Sequence, residues 1–154
     1  MNRCDFKSLL YDGPMGWDFD VTILGEPASA KNQRRIVKVG NSPRLIKSKK
    51  ALDYSRSFYS QCPKLDEFIE GDVALRVDVW YASRRPDLAC IDLIQDLLQD
   101  KAYANDRQVK ASMSIWNLDR ENPRARVRLK RMSPELESSV ELSSFGLSEI
   151  WELE

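Results

Sequence analysis

Apolar and polar positions alternate with a period of two in several stretches of the chain and recur at helical spacing in two others. Asp20-Val21-Thr22-Ile23-Leu24 alternates and is rich in β-branched residues, which predicts a strand. Gly25-Glu26-Pro27 then supplies turn chemistry. Residues 35–39 and 43–47 flank Gly40-Asn41-Ser42, the pattern of a hairpin with a short glycine-containing loop and largely basic outward residues. Over residues 72–82, Val73, Leu75, Val77, Val79 and Tyr81 alternate against polar or Trp positions, the clearest strand signature in the chain. Residues 109–116 and 125–129 read as two more strands, joined by the polar turn Asp119-Arg120-Glu121-Asn122-Pro123.

The helical periods fall between these strands. Residues 48–61 place Ala51, Leu52, Tyr54, Ser55, Phe58 and Tyr59 on one face, with Ser48 as a cap and Cys62-Pro63 as the stop. Residues 88–100 carry Leu88, Ile91, Ile94, Leu97 and Leu98 at the spacing of an amphipathic helix. The order β-ββ-α-β-α-β-β predicts an α+β domain: a mixed β-sheet with a basic β-hairpin and two main helices packed on it. The expected organisation is an irregular lead-in over residues 1–19, the domain over residues 20–132 and a tail over residues 133–154. That tail is Ser- and Glu-rich yet contains Phe145, Leu147, Ile150, Trp151 and Leu153. It is either a short amphipathic helix that docks on this domain or on a partner, or a frayed terminus.

Composition narrows the chemistry. The 154 residues include no histidine, which excludes Ser-His-Asp and Cys-His catalysis and histidine-ligated zinc. Cys4, Cys62 and Cys90 are odd in number and widely spaced, as reduced thiols in a cytoplasmic protein would be. No apolar run approaches the roughly 18 residues that span a bilayer, and the N-terminus lacks a signal-peptide apolar block, so the expected location is the cytoplasm.

The net charge of zero conceals an asymmetry. Glu135, Glu137, Glu141, Glu149, Glu152 and Glu154 lie beyond the last cation, Arg131, which leaves residues 1–132 with 18 acids against 24 bases. A basic body with an acidic tail suits a polyanion-binding surface, although a solvated tail gives the same numbers. The cations gather at Lys31, Arg34, Arg35, Lys38, Arg44, Lys47, Lys49 and Lys50, then at Arg84 and Arg85. A hairpin with outward cations can track phosphates without reading bases; it can equally be a solvated face.

Four carboxylates crowd one region of the sequence: Asp87, Asp92, Asp96 and Asp106. Asp92 and Asp96 are four apart and share a helix face. A strand end, a helix face and a second strand start can converge at one sheet edge. Such aspartates repel one another unless a cation intervenes, and hard oxygen ligands suit Mg²⁺ or Mn²⁺. Each aspartate alone also fits a helix cap or a solvated charge.

Three segments carry a resemblance. Val21-Thr22-Ile23-Leu24-Gly25-Glu26-Pro27-Ala28-Ser29-Ala30-Lys31-Asn32, Arg84-Arg85-Pro86-Asp87-Leu88 and Ala102-Tyr103-Ala104-Asn105-Asp106-Arg107-Gln108-Val109 resemble motifs of the RusA-like Holliday junction resolvases, with Asp96 at a helix Asp-Ala-Leu position. The similarity spans about residues 20–131 and includes the strand order. It implies a homodimer that binds four-way DNA junctions and hydrolyses phosphodiesters with Mg²⁺ or Mn²⁺ held by aspartates, without a small-molecule cofactor or a membrane. By position, Asp87 and Asp106 would be metal-site aspartates, with Asp96 and Asp92 as further acidic positions. The expected DNA contacts are Lys31, Asn32, Arg34, Arg35, Lys47, Lys49, Lys50, Arg84, Arg85 and Lys101. Such proteins occur often in phages.

The chain also departs from the pattern. Ala89 and Cys90 stand where the family motif has aspartate and asparagine, Asn105 replaces the first acid of its Asp-Asp pair, and the family's helix lysine has no match, Lys101 being a candidate replacement. Three outcomes follow: Asp92 supplies the missing carboxylate, the nuclease site has a different geometry, or the protein binds junctions with little activity. Apart from nuclease and non-catalytic DNA-binding protein, an interaction module acting through the acidic tail remains a third class.

Overall fold

The computed structural model describes residues 16–30 and 35–132. Strands β1 (Phe19–Leu24), β4 (Val73–Tyr81), β5 (Val109–Leu118) and β6 (Arg124–Arg131) form one sheet in the order β1-β6-β4-β5. β6 runs antiparallel to both β1 and β4, whereas β4 and β5 are parallel. β2 (Arg35–Val39) and β3 (Ser42–Ile46) form a separate two-stranded ribbon. Helices α1 (Lys49–Gln61) and α2 (Ile91–Leu98) complete the domain. The expected α+β class, the mixed sheet, the basic hairpin and both helices are all present. The lead-in and the tail lie essentially outside the described residues.

Period-two patterning decides which side of the sheet is dry. Val73, Leu75, Val77, Val79 and Tyr81 of β4 are at most 1% exposed, and they meet Ala125, Val127 and Leu129 of β6 and Phe19 and Ile23 of β1. Helices cover that face with Ala51, Tyr54 and Phe58 from α1 and Leu93, Ile94, Leu97 and Leu98 from α2. Each of the large aliphatic side chains and Phe58 contributes roughly 1.5–3 kcal/mol by leaving water. Ser48 starts α1 as expected, its hydroxyl accepting from the Ala51 amide at 3.1 Å. The opposite face of β4 and β6 carries charge. There Asp78 accepts two bonds from Arg76 and one from Arg128 at 2.6 Å, all three largely screened from water.

One difference from the sequence reading bears on function. Helix α2 begins at Ile91 rather than Leu88, because residues 88–90 form a turn on which the Asp87 carboxylate accepts from the Ala89 amide at 3.0 Å. Chain direction within the mixed sheet bears on function as well. β4 and β5 are parallel, so the chain leaves the carboxyl end of β4, returns through α2 and re-enters at the amino end of β5.

Candidate active site

The carboxyl end of β4 holds the first acidic corner. Tyr81 closes the strand, and its buried hydroxyl donates to the Asp87 carbonyl at 2.7 Å and contacts Cys90 Sγ at 3.2 Å. Trp116 of β5 donates through Nε1 to the Pro86 carbonyl at 3.0 Å. These bonds pin the Arg84-Arg85-Pro86-Asp87 segment over the strand ends and leave the Asp87 side chain exposed. A cleft of about 290 Å³ opens there, lined by Ser29, Lys50, Tyr81, Arg85, Asp87 and Cys90 together with Pro27 and Ala28. The segment after β1 and the segment after β4 are thus neighbours, although some 55 residues separate them in sequence.

Electrostatics in this corner are mixed. Burial, the Cys90 contact and the charges of Asp87 and Glu26 all push the Tyr81 hydroxyl far above its usual pKa, so it stays a neutral donor. Burial raises the Cys90 thiol as well, which makes it an inert core group rather than a nucleophile. Glu26 pairs with Lys50 at 3.4 Å. The cleft therefore joins one exposed aspartate to two cations, Lys50 and Arg85, a combination suited to holding a phosphate beside a carboxylate.

The second corner lies at the other end of α2. Asp106 opens a 3₁₀ turn (Asp106–Gln108) that leads into β5. Asn105 and Gln108 cap that turn reciprocally, and the Gln108 side-chain amide donates to the carbonyls of Ile69 and Gly71, both at 2.8 Å. Buried Tyr103 donates to the Gln95 carbonyl at 2.8 Å. Its hydroxyl is pushed above its usual pKa by burial first, then by the charges of Asp106 and Asp96. Asp96 and Asp106 thus share one neighbourhood. Asp92 sits in the first turn of α2 on its exposed side, where a carboxylate complements the positive end of the helix.

The expected convergence of all four aspartates at one sheet edge does not occur within a single copy. β4 pairs with β5 from Val73↔Val109 to Tyr81↔Leu118, eight residue steps or about 26 Å at the usual rise. Asp87 follows the far end of that ladder and Asp106 precedes its near end. Among the described residues no group of three or more His, Cys, Asp or Glu side chains could hold a metal ion. Parallel pairing, which a period-two pattern does not reveal, is the reason.

The expected DNA contacts divide. Arg35, Lys47, Lys49, Lys50, Arg84 and Arg85 are exposed on the hairpin, on the first turn of α1 and above the cleft. Lys31, Asn32 and Arg34 lie outside the described residues. The Lys101 ammonium donates to the carbonyls of Tyr59 and Cys62, both at 3.1 Å, and lies over the Tyr59 ring. It satisfies the carboxyl end of α1. Ser29 was missed as a cleft residue, because only long-range packing brings the segment after β1 to Asp87.

Fold and site together set carboxylates at the two ends of a parallel strand crossover, with an exposed cationic ribbon in the same domain. A family model for endodeoxyribonuclease RusA matches residues 25–130, and the chain belongs to that family. Its members are nucleases that resolve branched DNA junctions and in general depend on a divalent metal. No individual curated protein matches the chain. Among the described residues the carboxylates form no group of three that could hold such a metal: Asp87 stands without a second aspartate at position 89, and Asp106 sits with Asp96 at the other end of α2. No helix among the described residues is long and apolar enough to cross a membrane.

Proposed function

We propose that the protein is a homodimeric endonuclease that cleaves four-way or related branched DNA during recombination and repair, and that each of its sites is assembled from two copies. The observation that carries this reading is the separation of Asp87 and Asp106 by a parallel crossover. Among the described residues β5 has a strand on only one side. Two β5 edges paired antiparallel about a two-fold axis would set the amino end of one β5 beside the carboxyl end of the other. Asp106 of the partner subunit would then approach Asp87, and the two corners would complete each other twice per dimer. Such a carboxylate set suits Mg²⁺ or Mn²⁺, which supplies charge neutralisation at the reacting phosphate.

The chain's own groups have separate tasks. Lys50 and Arg85 would hold the phosphate in the cleft, and Tyr81 and Trp116 fix the backbone from which Asp87 projects. The hairpin and Arg84 would follow the flanking phosphates. The location implied is the cytoplasm of a bacterial or phage-infected cell. Cleavage of a four-way junction by the intact chain with Mg²⁺ or Mn²⁺ tests the reading. Asp87→Asn and Asp106→Asn should each abolish product while leaving junction binding largely intact, and full cleavage by both variants would remove the site assignment.

One observation favours a second reading, a junction-binding protein without catalysis: Ala89 deprives the Asp87 corner of a neighbouring carboxylate. That protein would bind branched DNA with strong salt dependence and give no product at any concentration of either metal.

A further inference from the structure

The ribbon exposes an apolar surface that phosphate binding does not use. Ile36 and Leu45 stand directly opposite each other in the β2–β3 register and are 73% and 58% exposed. Val39 near the tip is also exposed, and Gly40 takes φ +62° to close the two-residue loop. A two-stranded ribbon in water is marginal by itself, and a facing pair of large aliphatic side chains on its surface marks a contact.

Charge selects the occupant. Residues 27–52 contain eight Lys or Arg and no Asp or Glu. A ribbon with that charge repels a copy of itself and attracts a polyanion. Cations alone, however, grip the phosphates of duplex and branched DNA alike. Apolar side chains discriminate, because inserting one between bases costs unstacking, and that cost is least where stacking is already interrupted.

Position fits this role. Ser29 and Lys50, near the two roots of the arm, both line the Asp87 cleft. Leu45 lies five residues before Lys50, so a short stretch of chain joins the apolar pair to the cleft.

We propose that Ile36 and Leu45 form an apolar wedge that enters the stacking gap at a DNA branch point and gives the protein its preference for branched over linear DNA. This inference rests on the branched-DNA reading above.

The test uses the full chain in EDTA, a four-way junction carrying 2-aminopurine at the branch and a duplex of the same sequence. The wild-type protein should prefer the junction and raise the 2-aminopurine fluorescence. Ile36→Ser/Leu45→Ser should lose about tenfold or more of that preference together with the fluorescence rise, with duplex affinity kept within about threefold. Both positions are exposed, so its melting temperature should match the wild type, and Ile36→Leu/Leu45→Ile should retain the preference. Lys38→Gln should weaken junction and duplex binding equally. Preference and fluorescence kept by the serine variant would overturn the wedge alone, as would a fall of that variant from dimer to monomer in sedimentation. No junction preference in the wild type would overturn the underlying reading and the wedge with it.

Discussion

The two ends of helix α2 carry similar parts in different settings. At each end a buried tyrosine donates to a backbone carbonyl, Tyr81 to Asp87 and Tyr103 to Gln95, and acidic charges press on its hydroxyl. The Tyr81 end opens into a cleft with Lys50 and Arg85 beside one aspartate. At the Tyr103 end Asp96 of α2 shares a neighbourhood with Asp106, which sits on a capped turn that Gln108 ties to the carbonyls of Ile69 and Gly71. One end sets a single aspartate beside two cations that can receive a phosphate; the other sets two aspartates close together beside a rigid turn. Neither is a whole nuclease site, and each offers what the other lacks. That is why the account requires a second copy.

The comparison can be attacked at several strengths. Asp87→Asn and Asp106→Asn carry the largest effect, a fall of about a thousandfold or more in single-turnover junction cleavage, because each removes a charge that neutralises the reacting phosphate. Equal losses from both would show that the two ends serve one reaction. A loss confined to Asp87 would make the Tyr103 end structural.

Next in size is Asp78→Ala, which lies on the opposite face of the sheet and should weaken both ends alike. It leaves Arg76 and Arg128 without their shared carboxylate, at a cost of about 3–5 kcal/mol in denaturant unfolding. Burial alone would raise the Asp78 pKa, but bonds and charge from Arg76 and Arg128 outweigh it and hold the carboxyl below its usual range. Its folded pKa being depressed, the stabilisation is full above the ordinary carboxylate range and fades as pH falls through the folded value. Wild-type stability should therefore drop towards that of Asp78→Ala in strong acid, and a difference between them that grows on acidification would contradict this.

Smaller again is Gln108→Ala, which unties the support of Asp106 and should cost about 1–3 kcal/mol. Cleavage should fall with it while phosphate binding at the Tyr81 end persists, as measured by junction affinity. Smallest is Glu26→Gln. An exposed pair such as Glu26–Lys50 contributes no more than about 1 kcal/mol, so thermal stability should hold while cleavage changes a few-fold as Lys50 is released. A large loss of stability would mean that the pair shapes the cleft itself.

Much of the fold was legible because burial follows periodicity. Val73, Leu75, Val77, Val79 and Tyr81 show their dry face directly, and Ser48 and Gly40 mark a helix start and a ribbon turn by local chemistry. The start of α2 was misread by three residues, since Asp87 caps the turn over residues 88–90 and Leu88 still fits the helical period. The relation of Asp87 to Asp106 was not legible. It depends on β5 pairing parallel to β4, and alternation reads the same in either direction. The Lys101 bonds to Tyr59 and Cys62 and the Glu26–Lys50 pair were not legible for a related reason: the partners come from distant segments.

The claim that each site draws on two copies is tested most directly by mixing two inactive proteins. Asp87→Asn and Asp106→Asn should be co-refolded so that subunits exchange, then assayed on a four-way junction. In a shared-site dimer each mixed pair contains one site with both aspartates intact, so about a quarter of the wild-type sites should return. If sedimentation shows mixed dimers and the mixture remains as inactive as its components, Asp87 and Asp106 do not meet across the dimer and the account fails.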